Sequence, residues 1–87
     1  MEEIFSRMRL VVAGQVQGVG FRPFVYRLAA SERLTGFVAN TPQGVAVEVQ
    51  GAPARVDSFV ARLEAELPPL ARIVRLTRVE LPPVPGE

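Results

Sequence analysis

MRLVVAGQVQGVGFRPFVYRLA, residues 8–29, divides into three pieces with different local physics. Met8 to Ala13 is an apolar, β-branched run that stops at Gly14, the pattern of a buried strand. Gly14, Gly18 and Gly20 then fall close together and let the backbone curl tightly. Pro23 suits the first position of a helix, and Phe21, Phe24, Val25, Leu28 and Ala29 follow at i, i+3, i+4, i+7, i+8 spacing, so one face of that helix is core.

Working outward, Phe37 to Asn40 and Val45 to Gln50 read as two strands, the second alternating Val45, Val47 and Val49 with Ala46, Glu48 and Gln50. Thr41-Pro42-Gln43-Gly44 between them predicts a hairpin. Pro53 opens a second helix with Val56, Phe59, Val60, Leu63 and Leu67 on one stripe, ended by Pro68 and Pro69. Ala71 to Leu81 follows as a last strand, but Ile73 and Val74 are adjacent and Arg72, Arg75 and Arg78 interrupt both faces, so its register is not assignable. The βαββαβ order predicts an α+β, ferredoxin-like sandwich: an antiparallel sheet with both helices packed on one face. The domain is expected to span 8–81, with 1–7 and the proline-rich 82–87 as flexible ends or linker.

With 87 residues the chain is one domain, and its core must be compact. Ten basic and nine acidic residues leave a net charge of +1, scattered along the chain, which argues against nucleic acid or an anionic membrane as partner. Val45 to Gln50 also lacks the exposed aromatics that an RNA-recognition module of this topology would need. Every basic residue is Arg, which excludes a lysine Schiff base and a P-loop lysine. Without Cys or His there is no thiolate chemistry, no imidazole base and no usual zinc site. No apolar run approaches a membrane span and MEEIFSR is not a signal peptide, so a cytoplasmic protein is expected.

The chemistry points to Gly14 to Pro23. Loop amides that converge at a helix N-terminus form an anion nest sized for a phosphate, with Arg22 at its rim able to pair two phosphate oxygens. The competing reading is a tight turn followed by a solvated arginine. A positive side chain at a helix N-terminus opposes the dipole, which favours the anion. The third glycine of a dinucleotide loop is replaced by Pro23 and no Gly-Lys-Ser/Thr occurs, so neither nucleotide loop is present. Taken by itself, Asn40 reads as a strand-end turn residue bonding its own backbone.

These residues carry a resemblance. GQVQGVGFRPFVYRLA and then LTGFVANTPQGVAVEVQG resemble the acylphosphatase family, whose Val-Gln-Gly-Val-x-Phe-Arg is present as Val16 to Arg22 and whose Gly-x-Val-x-Asn is present as Gly36, Val38 and Asn40. The likeness covers about residues 8–81. Stand-alone members usually carry a bulkier residue where Gly20 stands, and Gly20 to Tyr26 is similar to the acylphosphatase-like N-terminal domains of hydrogenase-maturation carbamoyltransferases.

The resemblance implies that Arg22 grips the phosphate, that Asn40 orients the attacking water, and that Gln17, Gly18, Val19, Gly20, Phe21 and Arg22 bind the phosphate. It implies hydrolysis of small acyl phosphates, carbamoyl phosphate above all, without cofactor or metal. The expected partners are other domains of a longer parent chain and hydrogenase-maturation proteins. The family usually has a further short strand beyond Leu81, so the chain is expected to be a piece of a longer protein. The alternatives are a stand-alone acylphosphatase or a non-catalytic ferredoxin-like module that binds a phosphate or other ligand. Phe21, Phe24 and Phe59 are expected in the core, and Arg27, Arg33, Arg55, Arg62, Arg72, Arg75 and Arg78 as solvated charges.

Overall fold

Leu10 and Val12 have no solvent exposure because the strand that carries them is paired on both sides and their face of it is covered by helices. The computed structural model describes residues 4–87, so the first three residues of the expected N-terminal linker lie outside the described residues. The elements run β1 (Ser6–Gln15), α1 (Phe21–Ser31), β2 (Thr35–Thr41), β3 (Gly44–Gly51), α2 (Pro53–Ala65) and β4 (Arg72–Leu81). The sheet order is β2-β3-β1-β4 and every pairing is antiparallel, the expected ferredoxin-like arrangement.

Cross-strand register decides which side chains share a face. Met8, Leu10 and Val12 lie opposite Val49, Val47 and Val45, and all six are buried. Val25 and Leu28 of α1 and Val56, Phe59 and Leu63 of α2 close over this face and complete the core. Phe21, Phe24 and Phe59 are in it, as their spacing predicts. At roughly 1.5–3 kcal/mol for each large apolar side chain buried, this layer dominates the stability of the domain.

The helix starts follow from where proline is harmless. α2 begins at Pro53 as expected, whereas α1 begins at Phe21, two residues before Pro23. The first-turn N–H groups of a helix have no intrahelical acceptor, so a proline at the third position costs no hydrogen bond. The hairpin forms as Thr41↔Gly44 pairing around Pro42-Gln43, and the Thr41 hydroxyl closes it by donating to Gly44 O at 2.9 Å and accepting from Gln43 N at 3.2 Å.

A β-bulge supplies the register that β4 withheld in the sequence. Ala13 pairs with Arg75 but Gly14 pairs with Ile73, which leaves Val74 unpaired and 82% exposed. The extra residue lets Ile73 and Leu76 both pack against the core despite their odd spacing, and sends Arg72 and Arg75 to solvent. Gly14 is required at the bulge, because a Cβ there would lie 2.2 Å from Arg72 O.

β1 starts two residues before the boundary expected from sequence. Arg7 pairs with Gln50 and is only 4% exposed, so a charged residue that reads as linker is part of the sheet. Its guanidinium meets Glu48 at 2.9 Å, across a separation of 41 residues that no local pattern announces. Among the described residues, no helix is long and apolar enough to cross a membrane.

Candidate active site

The loop between β1 and α1 is pinned by its apolar side chains. Val16 is 3% exposed and Phe21 1%, and Val19 packs against the core, so three side chains point inward and hold the backbone between them at the surface. Gly18 and Gly20 have φ of 70° and 81°, the left-handed region that glycine enters without strain. A Cβ at either position would meet nothing within 4 Å, so backbone conformation and not crowding demands glycine there.

Gly20 is the N-cap of α1 and its carbonyl accepts from Phe24 N at 3.2 Å, while no side chain caps the helix start. Among the described residues, no loop or turn hydrogen bond uses the N–H groups of Gln17 to Arg22. Unpaired N–H groups at the positive end of a helix dipole attract an anion.

Arg22 is exposed and, among the described residues, makes no ion pair or side-chain hydrogen bond. Asn40 is also exposed. It sits inside β2 opposite Val45, and the adjoining turn is closed by Thr41, so its carboxamide is not spent as a turn cap. One cleft of about 340 Å³ brings these residues together, lined by Val16, Gln17, Gly18, Gly20, Phe21, Arg22, Pro23 and Asn40. Of the residues singled out from sequence, Val19 alone does not line it, because its side chain turns to the core.

Among the described residues no carboxylate lines this cleft, which is the electrostatic condition an oxyanion needs. Among the described residues, no group of three or more His, Cys, Asp or Glu could hold a metal ion. A second groove, about 310 Å³ between α1 and β2, is lined mainly by apolar groups such as Val25, Ala29 and Val38, together with Glu48. It offers an anion no cation.

One of the arginines read from sequence as solvated charges, the half-buried Arg62, instead ties the helices together, while Arg55 stays exposed as expected. Arg62 of α2 reaches Glu32, just past the end of α1, at 3.0 Å and Glu66 at 2.7 Å, and Arg55 approaches Glu32 at 3.8 Å. The Ser58 hydroxyl donates to Glu32 at 2.6 Å, and this bond, then Arg62, holds the Glu32 carboxyl below its usual range. The Arg62–Glu66 half of this clamp is visible in sequence as an i, i+4 pair; the Glu32 half is not.

A four-stranded antiparallel sheet with two helices on one face, and a glycine-rich loop that opens its first helix beside a cleft, defines a ferredoxin-like domain. The acylphosphatase family model matches residues 8–86, and the chain belongs to that family. It is 48% identical over 87 residues, all of this chain, to the carbamoyltransferase HypF of Rhizobium leguminosarum bv. viciae, and covers 11% of that protein. It is 43% identical over 82 residues to the acylphosphatase of Caldivirga maquilingensis, with 92% of this chain and 82% of that one covered.

The fold agrees with both kinds of relative. A full-length HypF crystallised in a phosphate- and nucleotide-bound form superimposes with a TM-score of 0.88 at 31% identity, over 93% of this chain and 11% of that one. The acylphosphatase of Bacillus subtilis superimposes with a TM-score of 0.85 at 31% identity, over 95% of this chain and 91% of that one. The chain thus spans about a tenth of the HypF proteins it matches and most of the length of these acylphosphatases.

Proposed function

We propose that this domain hydrolyses the carboxyl-phosphate bond of small acyl phosphates, with carbamoyl phosphate as physiological substrate, at the N-terminus of a nickel–iron hydrogenase-maturation carbamoyltransferase. The observation that carries the reading is the meeting, in one cleft, of loop N–H groups and an arginine that have no partner among the described residues with the open carboxamide of Asn40. The likeness to HypF proteins over the whole chain supports the choice of substrate and parent.

In this reading the N–H groups of Gln17 to Phe21 and the Arg22 fork bind the phosphate oxygens, each charge-assisted bond contributing about 1.5–3 kcal/mol. Asn40 holds a water in line with the phosphorus–acyl oxygen bond. As the water oxygen bonds to phosphorus, the acyl oxygen leaves with the electron pair as a carboxylate or carbamate, and the water proton passes to a phosphate oxygen. Such a leaving group needs no general acid, which suits a cleft with no titratable side chain besides Arg22. Carbamate released here would pass to other domains of the parent protein.

The test is phosphate release from benzoyl phosphate and carbamoyl phosphate by the purified chain, beside Arg22→Ala and Asn40→Ala variants shown to fold. The expected result is turnover of both compounds, with carbamoyl phosphate the better substrate by kcat/KM, and loss of turnover in both variants. A folded wild type that binds phosphate and hydrolyses neither compound would reduce the domain to a phosphate-binding module.

A further inference from the structure

Residues 82–87 follow the last strand, and three of them are prolines without an N–H. Between Pro82 and Pro85 only Val84 can donate a backbone hydrogen bond. The side chain of Gln50, on the helix-free face of the sheet, takes it: Val84 N donates to Gln50 Oε1 at 2.7 Å, and Gln50 Nε2 donates to Val84 O at 3.0 Å. A carboxamide here does what a neighbouring strand would do, satisfying both polar groups of one residue in an extended chain.

Three residues further on, the Glu87 carboxylate pairs with Arg7 and accepts from the Thr35 hydroxyl at 3.4 Å. The receiving side chains are built into the sheet. Gln50 is 3% exposed and Arg7 4%, and Arg7 Nη1 also donates to Gln50 Oε1 at 3.2 Å, which links the two halves of the site. The charge explains the carboxylate. Arg7 and Arg9 share Glu48, at 2.9 and 2.8 Å, and among the described residues Glu87 is the other carboxylate that pairs with either of them.

We propose that Arg7 and Gln50 form a recognition site for an extended, proline-flanked peptide bearing a carboxylate three residues after the residue held by its backbone, and that this chain fills the site in cis with Val84–Glu87. The flanking prolines hold such a peptide close to its bound shape beforehand, which lowers the ordering entropy lost on docking. Eight residues of strand separate Arg7 from Gln15, so the site stands roughly 25 Å from the cradle at the rise of a strand. Its occupancy is independent of the phosphate chemistry.

The test uses the full chain and amide hydrogen exchange followed by NMR. After correction for intrinsic rates, the Val84 N–H exchanges roughly 10-fold or more slowly than that of Gly86, whose N–H lacks such a partner. Gln50→Leu removes the difference. Val84→Pro combined with Glu87→Gln deletes the one donor and the carboxylate, both outside every strand, so the sheet stays folded with its tail released. A synthetic peptide of residues 81–87 added to that variant then shifts the Gln50 side-chain amide resonances to saturation, and the same peptide with Glu87→Gln binds at least several-fold more weakly. Equal exchange at Val84 and Gly86 in the wild type overturns the proposal. So does a folded protein carrying both substitutions whose Gln50 resonances ignore the peptide.

Discussion

Each end of the sheet is organised around an arginine, and the two are treated in opposite ways. Arg7 lies under the open face, 4% exposed, with Glu48, Glu87 and Gln50 on its guanidinium. Burial works against its charge, but the hydrogen bonds it donates to Glu87 and Glu48 outweigh that and leave its pKa raised. Arg22 lies in the open at the start of α1, opposed by the helix dipole and without a counterion among the described residues. A charge neutralised inside the chain is architecture. A charge left over beside unspent N–H groups is what the proposed phosphate site rests on.

Exchanging the properties of the two ends is the way to break this contrast. Arg22→Ala should lower kcat/KM for benzoyl phosphate by about 10²–10³-fold, the cost of removing one donor to a developing oxyanion, with the urea midpoint nearly unchanged. Asn40→Ala should fall chiefly in kcat, by about 10²-fold, with inorganic phosphate still inhibiting as in the wild type. Arg7→Met should do the reverse. It leaves Glu87 without its ion-pair partner and takes a donor from Gln50 and Glu48, and should cost about 1–3 kcal/mol in urea unfolding, while activity of the folded fraction stays within about twofold.

A smaller effect sharpens the cradle end. Gly20→Val forces a β-branched residue into φ 81°, which should cost about 1–2 kcal/mol of stability and raise KM as the loop relaxes. The smallest is the α1–α2 clamp. Because Ser58 and Arg62 hold the Glu32 pKa below the ordinary carboxylate value, its contribution is present above that value and is lost as pH falls through the lowered one. Thermal unfolding from pH 6 down to about pH 3 should therefore lose part of its acid slope in Glu32→Gln.

The same contrast explains what the sequence could announce. The cradle is local: its glycines, Val16, Phe21 and Arg22 stand within a few residues of one another, and their joint geometry follows from a strand, a curl and a helix start. The Arg7 end is non-local, because Glu48 and Gln50 lie more than 40 residues away and nothing near Arg7 distinguishes a buried arginine from a linker residue. The register of β4 was illegible for a related reason. A bulge at Val74 shifts the alternation by one, and the bulge exists only because Gly14 on another strand permits the close approach. Sequence alone reads Asn40 as a turn residue, whereas in the structure Thr41, one residue later, closes the turn.

The most direct measurement is a titration of the ¹⁵N-labelled chain with inorganic phosphate, read as amide shifts in the wild type and in Arg22→Ala. The account predicts saturable shifts confined to Gln17 through Arg22 and to the Asn40 side-chain amide, weakened at least tenfold in the variant. Shifts centred instead on Arg72, Arg75 and Arg78, or equal affinity in Arg22→Ala, would contradict it.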